Sequence, residues 1–124
     1  MAEEAGAKAL FEKFGTYVLP GRVDDPRRAI DEAQEAERIG LGAVWISERF
    51  ALKEPAVLAG AVSEATSKIR INGTFYSTMR HPIVTASIAN LMQAMSGERF
   101  GIMFARAVPA YMKMLGAPAI TMER

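Results

Sequence analysis

The sequence of 124 residues contains no cysteine, a single histidine and no long apolar run free of polar residues. Without cysteine the chain forms no disulfide and has no thiol chemistry, and one histidine cannot build a metal site alone. The longest uncharged stretch, residues 81–97, carries Thr, Ser, Asn and Gln and does not resemble a membrane span. The N-terminus lacks the order of a secretory signal, so the expected location is the cytoplasm.

An excess of charge of one sign is also lacking. Fifteen Lys and Arg residues balance 14 Asp and Glu residues, for a formal net charge of +1. This balance argues against nucleic acid or an anionic membrane as a partner. Half of the residues are apolar, as in ordinary globular proteins. We expect one domain over residues 15–124, preceded by an N-terminal arm over residues 1–14.

Three nucleotide and hydrolase motifs are missing. The first strand-to-helix turn reads Pro20-Gly-Arg-Val-Asp-Asp25, without the Gly-x-Gly-x-x-Gly of a dinucleotide-binding sheet. The chain contains neither a Walker-type phosphate loop nor a Gly-x-Ser-x-Gly nucleophile elbow. These absences disfavour dehydrogenases of the Rossmann type, nucleotide hydrolases and α/β-hydrolases.

Short strand-like runs alternate with helical stretches along the chain. The strands are predicted over residues 15–19, 43–47, 68–76 and 99–104, and helices are predicted to begin near Asp25-Pro26, Glu54-Pro55, His81-Pro82 and Pro109. Strand starts recur every ~26 to 31 residues, the length of a βαβ unit. The pattern predicts an α/β fold with parallel strands, either an open doubly wound sheet or a barrel.

Helical spacing also predicts which residues are buried. The first long helix should bury Ala29, Ile30, Ala33 and Ala36. The second should bury Val57, Leu58, Ala61, Val62 and Ala65, and the third Ile83, Val84, Ile88, Leu91, Met92 and Met95.

Residues that could contact a ligand follow the strands, where α/β folds place their chemistry. They are Tyr17 and Pro20, then Ser47, Glu48 and Arg49, then Thr74, Tyr76, Ser77, Arg80 and His81, and finally Arg106. Such a set suits a small anionic or heterocyclic ligand, with Glu48 and His81 as candidate catalytic residues. Two plainer interpretations stay open: Glu48 and Arg49 form a surface pair or cap neighbouring loops, and His81, which precedes Pro82, leads into a helix.

Several segments carry a resemblance to a known family. They are Tyr17-Val-Leu-Pro-Gly-Arg22, Asp25-Pro-Arg27, Gly40-Leu-Gly-Ala-Val-Trp-Ile-Ser-Glu-Arg49, Lys53-Glu54 and Arg80-His-Pro82. Their order and spacing resemble the bacterial luciferase-like monooxygenase superfamily, and within it the deazaflavin oxidoreductases that use coenzyme F-420. The resemblance implies a (β/α)₈ barrel, a bound deazaflavin or FMN, and hydride transfer to or from a small organic substrate.

The resemblance also implies a set of site residues. The cofactor-binding candidates are Ser47, Glu48, Gly73, Thr74 and Arg106, with a non-prolyl cis peptide bond expected between Gly73 and Thr74. Family members carry a Gly-x-Gly-Arg-Gly pattern after the fourth strand, where this chain reads Met103-Phe-Ala-Arg-Ala107. Side chains in place of glycines restrict the approach of a ligand to the backbone.

Four βα units are half of an eight-stranded barrel, which takes ~250 residues. A half-barrel leaves two strand edges and one sheet face open, so a homo-oligomer is expected, with two copies closing one barrel as the simplest form. Burial of an open sheet against a neighbour and dependence on a longer partner remain alternatives. The alternative function is a non-catalytic assembly or binding module that keeps the fold without the cofactor site.

Overall fold

The computed structural model describes residues 1–21, 24–49, 52–76 and 79–117. The strands are β1 (Gly15–Tyr17), β2 (Ala43–Ser47), β3 (Arg70–Tyr76) and β4 (Phe100–Ala105). The helices are α1 (Ala2–Phe11), α2 (Arg28–Arg38), α3 (Pro55–Ala65), α4 (Pro82–Ser96) and α5 (Pro109–Met114). From β1 onward, strands and helices alternate as the sequence predicts.

The four strands form one parallel sheet in the order β1-β2-β3-β4. Helices α2, α3 and α4 pack beside one another on one face of this sheet and share a single core with it. Sequential strand order with the connecting helices on one face is the arrangement of an α/β barrel, whereas a doubly wound sheet carries helices on both faces. The chain therefore has the fold of four βα units of a barrel.

The core lies between the sheet and these three helices. Val44, Ile71 and Phe100 face each other in register across β2, β3 and β4, and all three are buried. Of the residues predicted for α2, Ala29, Ala33 and Ala36 are buried in this core, and Ile30 is only partly buried.

The predicted buried stripes of the other two helices are only partly confirmed: Val62 of α3 and Met92 of α4 are buried, and Leu58 and Ile88 pack against the core partly buried. Val57 of α3 is 72% exposed, and the residues that α3 buries are Pro55, Ala59, Val62 and Ser63. Of the six residues predicted for α4 only Met92 is buried, together with Thr85 and Ser96, which were not predicted. Both helices are apolar nearly all round, so periodicity does not identify the face that meets the sheet.

The loop after β1 also differs from the prediction. Strand β1 ends at Tyr17 rather than Leu19, because Leu19 adopts a positive φ of 49°. Its N–H donates to Glu32 Oε2 at 2.7 Å, and its carbonyl accepts from Lys53 Nζ at 2.7 Å. These two bonds turn the chain out of the sheet before the predicted end of the strand.

Helix α2 begins at Arg28, later than predicted. The Asp25 carboxylate accepts the N–H of Arg27 at 3.0 Å, as an N-terminal cap does, but Arg27 itself is in a turn. Only the position of the first helical residue therefore changes.

Arg99 joins three elements at the N-terminal end of the sheet. Its guanidinium donates to the carbonyls of Ser96, Ile69, Ser63 and Thr66 and to Thr66 Oγ1, at 2.7 to 3.0 Å. The C-terminal ends of α3 and α4 and the start of β3 are thereby tied to one cation. A positive charge at helix C-termini also complements the helix dipoles.

Glu37, near the end of α2, binds the loop that precedes β3. Its carboxylate accepts the N–H groups of Ser67, Lys68 and Ile69 at 2.6 to 3.0 Å, and the Ser67 hydroxyl at 3.2 Å. Burial alone would raise the pKa of Glu37, but these four donors together hold it below the usual value.

The two outer edges of the sheet each border a groove. Within the described ranges no strand pairs with the outer edge of β1 or of β4. A groove of ~580 Å³ lies beside β1 and α2, and one of ~500 Å³ lies between β4 and α4. None of the described helices has the length and hydropathy needed to cross a membrane.

Candidate functional site

The face of the sheet opposite α2, α3 and α4, which we call the inner face, has a different chemistry from the core. Side chains alternate between the two faces along each strand. The inner-face rows, read across the sheet, are Tyr17–Trp45–Asn72–Gly101, then Ser47–Thr74–Met103, then Tyr76–Ala105. Aromatic rings, hydroxyls, an amide and small residues thus line this face, a mixture typical of binding sites for small ligands.

Thr74 is an inner-face residue whose side-chain hydrogen bonding is incomplete. It is 6% exposed, and its Oγ1 has no hydrogen-bond partner among the residues that the structure describes. A buried hydroxyl without a partner costs ~1 to 3 kcal/mol. A ligand group placed at this hydroxyl, between Ser47 and Met103, would recover that energy.

Glu48 follows Ser47 and is only 2% exposed. Its Oε2 accepts the N–H of Tyr76 at 2.7 Å, its Oε1 accepts Arg80 Nε at 3.0 Å, and a second guanidinium nitrogen of Arg80 completes an ion pair. Its own N–H donates to the Thr74 carbonyl at 3.0 Å. Glu48 therefore joins β2 to the end of β3, and the interpretation as a surface pair with Arg49 is wrong.

Arg80 lies between two carboxylates. It pairs with Glu48 and with Glu54, which also caps α3 by accepting the N–H of Val57 at 2.8 Å. The guanidinium carbon lies 5.0 Å from the centroid of the Phe75 ring. Burial opposes the charge of Arg80, but Glu48 and Glu54 together raise its pKa above the ordinary value.

The loop after β1 is held at the same end of the sheet. Lys53 is buried, with its Nζ on the Leu19 carbonyl, and Arg49 donates to the Gly21 carbonyl at 3.3 Å. Burial lowers the pKa of Lys53, Arg49 lowers it further, and Glu32 partly opposes both. Lys53 was noticed in the sequence only within the resemblance, because a lysine in a loop has no pattern that marks it as buried.

Tyr76 ends β3 on the inner face and meets Tyr111 of α5. Their ring centroids are 6.3 Å apart in an edge-to-face arrangement. Burial, with a smaller contribution from Tyr111, raises the pKa of Tyr76, so its hydroxyl stays protonated at neutral pH. Helix α5 thus brings a second phenol to the C-terminal end of the sheet.

The remaining predicted site residues lie at different places. His81 is exposed and caps α4, with Nδ1 accepting the N–H of Ile83 at 3.3 Å, which confirms its interpretation as a helix lead-in. Arg106 is exposed directly after β4. Ser77, and Arg22 in the first loop, lie outside the described residues.

Gly73 faces the core rather than the inner face. A Cβ built on it would lie 2.6 Å from Phe75 Cε2 and 3.4 Å from Phe100 Cζ. The predicted cis peptide bond between Gly73 and Thr74 is wrong, because no cis bond occurs among the described residues. Both residues continue the regular parallel ladder with β2 and β4, which requires an extended trans backbone.

Neither Asn72 nor Trp45 was predicted as a site residue. Both side chains lie on the inner face, in register with each other. The signal for Asn72 was present, since Asn72, Thr74 and Tyr76 are polar and alternate with Ile71, Gly73 and Phe75. Of the predicted cofactor residues, only Ser47 and Thr74 are direct neighbours on this face.

Comparison with known proteins identifies the family and the fold of this chain. The family model described as luciferase-like monooxygenase matches residues 4–122. The coenzyme F-420-dependent tetrahydromethanopterin reductase of Methanopyrus kandleri is 26% identical with a TM-score of 0.77, over 85% of this chain and 30% of that one. No curated protein matches.

Two further solved structures share the fold at lower identity. A riboflavin lyase, solved with a modified FMN and riboflavin, is 17% identical with a TM-score of 0.72, over 86% of this chain and 33% of that one. The EDTA monooxygenase of Chelativorans sp. BNC1 is 21% identical with a TM-score of 0.70, over 88% of this chain and 32% of that one. The chain therefore spans about a third of the length of these proteins.

Proposed function

Because the chain belongs to the luciferase-like monooxygenase family, we propose that it forms part of a flavin- or deazaflavin-dependent oxidoreductase acting on a small organic substrate. The names of two structural neighbours support this class of cofactor, since one depends on coenzyme F-420 and another was solved with a modified FMN. The whole activity is a proposal for this chain, which spans 30% of the reductase.

The observation that carries the proposal is the unpartnered hydroxyl of Thr74 on the inner face. A flavin or deazaflavin ring is planar, with polar atoms along one edge and an apolar remainder. The inner face offers the matching groups: hydroxyls at Ser47 and Thr74, and aromatic rings at Tyr17 and Trp45. The residues present therefore fit the ring portion of such a cofactor.

The chain's residues would bind and orient the cofactor, which when bound supplies hydride exchange at its ring. Thr74 and Ser47 would contact the ring. Glu48 would be a positioning residue, because its carboxylate holds the Tyr76 backbone and Arg80. Gly73 would act indirectly by leaving room for Phe75, and Arg106 and His81 would lie at the rim.

A homo-oligomer is part of the proposal. Both sheet edges border grooves, and large apolar side chains are exposed on several elements of the described chain. Strand edges that no described strand covers can pair with another chain. A second copy covering part of this surface is the expected partner.

One observation favours the alternative, a binding or assembly module without a cofactor. Met103 lies in register with Thr74, on the same face, so its long side chain borders the site. Family members that bind cofactor carry glycines in this segment, according to the resemblance noted above.

Titration of the chain with coenzyme F-420 and with FMN, followed by absorbance and fluorescence, tests the proposal. We expect saturable binding of one of the two. The variant with Met103, Ala105 and Ala107 all changed to glycine discriminates the alternative, because binding that appears only in this variant shows that the native site is blocked. Absence of binding by both proteins up to ~1 mM, or ~4 kcal/mol of binding free energy, would contradict the proposal.

A further inference from the structure

The segment that follows β1, residues 18–21, which we call the β1 loop, leaves the sheet through a rare backbone conformation. The N–H of Val18 donates to the Trp45 carbonyl at 3.0 Å and so continues the hydrogen bonding with β2. Leu19 then adopts a φ of 49°, in the left-handed region that residues with a side chain seldom occupy. Such a conformation persists only where the surrounding contacts hold it.

Two side chains of opposite charge hold the backbone of Leu19. Its N–H donates to Glu32 of α2, and its carbonyl accepts from Lys53, both at 2.7 Å. Hydrogen bonds with an ionised partner are stronger than those between neutral groups. Leu19 is also buried, so little water competes for these two bonds. The β1 loop is therefore fixed both to α2 and to the residues before α3.

Lys53 is itself fixed by a turn after β2. The Arg49 N–H donates to the Lys53 carbonyl at 3.1 Å, and the Lys53 N–H donates to the Arg49 carbonyl at 2.8 Å. The Arg49 guanidinium also donates to the Gly21 carbonyl at 3.3 Å. This turn, which we call the Arg49–Lys53 turn, thus contacts the β1 loop at both Leu19 and Gly21.

Packing does not explain a lysine at position 53. Lys53 is only 7% exposed, yet within the described chain it forms no ion pair, and its partner is the neutral Leu19 carbonyl. Burial of such a cation costs free energy that an apolar side chain of similar length would avoid. Glu32 offsets only part of this cost, and Arg49 adds to it. The lysine therefore serves the conformation of the loop rather than the stability of the core.

The Arg49–Lys53 turn is part of the candidate site. Glu48 lies one residue before it and holds the backbone of Tyr76. Glu54 lies one residue after it and pairs with Arg80. The β1 loop begins directly after Tyr17, which lies on the inner face. Contacts from one turn therefore fix the C-terminal ends of β1 and β3 relative to β2.

We propose that Lys53 is a positioning residue of the candidate site, which together with Glu32 holds the β1 loop in the conformation that is ready for the ligand. The inference rests on the proposed function, because the ligand meant is the flavin or deazaflavin cofactor. A loop that samples other conformations lowers the fraction of molecules able to bind, and the apparent dissociation constant rises by the same factor. Lys53 thus acts on binding without contact to the cofactor.

Hydrogen exchange of the full, cofactor-free chain tests whether Lys53 holds the loop. Lys53→Met keeps an unbranched stem and removes the charge, and Lys68→Met makes the same change at an exposed lysine before β3. We expect protection of the Leu19 amide to fall by at least about tenfold in Lys53→Met, through the loss of one charge-assisted hydrogen bond. The core amide of Ile71, which donates to the Arg99 carbonyl at 3.0 Å, should not lose protection. Lys68→Met should leave both amides unchanged.

Stopped-flow binding of coenzyme F-420 and of FMN tests the effect on the site. In Lys53→Met we expect association to slow by about the same factor while dissociation stays unchanged, because fewer molecules are competent but the bound contacts are the same. In Thr74→Val, which removes a proposed contact, dissociation should instead become faster. A purely structural role for Lys53 would leave the association rate constant unchanged.

Circular dichroism first confirms that the variants fold. Glu32→Gln, which removes the opposite charge from the Leu19 N–H, should give the same pattern and replaces Lys53→Met if that variant does not fold. Unchanged Leu19 protection, equal losses at Leu19 and Ile71, or an unchanged association rate constant would overturn the positioning role alone. A wild type that binds neither cofactor would overturn the proposed function and this inference with it, so the two failures are distinguishable.

Discussion

Gly73 lies on the core side of the sheet, away from the candidate site, and its lack of a side chain leaves room for Phe75. The ring of Phe75 lies over Gly73, and Phe75 is fully buried beneath the guanidinium of Arg80. The glycine therefore supports the packing of Phe75, which in turn supports the Glu48–Arg80 pair at the end of β3. Gly73 therefore affects the inner face only indirectly, through Phe75 and the Glu48–Arg80 pair.

Gly73→Ala is expected to destabilise the protein by ~1 to 3 kcal/mol, because the new methyl group would lie 2.6 Å from the Phe75 ring. The matched change Gly60→Ala, in α3, has open space around the new methyl group. It should stabilise by ~0.5 to 1 kcal/mol through helix propensity. Urea unfolding of both variants measures the two free energies, and a shift of the same sign in both would contradict this account.

The sequence predicted the structural roles of some single residues but not of others. His81 was a candidate catalytic residue with a helix lead-in as the plainer interpretation, since proline restricts the residue before it, and the structure confirms that it caps α4. The pairing of Ser47 with Thr74 follows from strand register. The burial of Glu48 could not be predicted, because its partner Arg80 is 32 residues away and only the fold brings them together.

At the scale of elements, Arg99 is the residue on which the ends of α3 and α4 depend. Arg99→Met keeps the aliphatic stem and removes the donors to four carbonyls and one hydroxyl. We expect a loss of ~3 kcal/mol in the free energy of unfolding, since the carbonyls of buried helix ends would lose their partners. Arg38→Met, which removes an exposed ion pair on α2, should leave the urea midpoint nearly unchanged, and equal effects would contradict the assignment.

Glu37 makes the contact between α2 and the start of β3 depend on pH. Because the pKa of Glu37 is lowered from its ordinary value in the folded protein, protonation of Glu37 opposes folding. Its contribution is complete above the unfolded value and is lost as the pH falls through the lowered folded value. Urea midpoints of wild type and Glu37→Gln should therefore differ at pH 7 and converge in acid, and a difference independent of pH would exclude this role.

The helices also explain which element-scale predictions succeeded. The buried stripe of α2 was predicted correctly because charged residues mark its outer side. Helices α3 and α4 lack such residues, so apolar residues on the outer side looked the same as core residues in the sequence.

At the scale of the whole molecule, local patterns predicted the order of strands and helices, whereas the choice of a barrel over an open sheet came from the family resemblance, and the structure confirms it. Turn residues and proline-led helix starts mark each βα unit within the sequence. Whether successive helices share one face depends on contacts among α2, α3 and α4, which no local pattern encodes. The inner face with its row of polar residues is left uncovered by α2, α3 and α4 because these helices pack on the other face.

The central claim is that the inner face binds a ring-shaped cofactor at the unpartnered hydroxyl of Thr74. Thr74→Val keeps the shape and removes the hydroxyl, so we expect the cofactor-free protein to gain ~1 kcal/mol of stability. In the same variant, affinity for coenzyme F-420 or FMN should fall by ~5- to 10-fold.

Thr66→Val is the matched control, because the buried Thr66 hydroxyl donates to the Val62 carbonyl at 2.7 Å and accepts from Arg99 at 3.0 Å. It should lose stability and leave cofactor affinity unchanged. The decisive measurement is therefore the pair of values for Thr74→Val, its unfolding free energy without cofactor and its cofactor dissociation constant. A gain in stability with weaker binding is the predicted result, and unchanged binding would contradict the proposed site.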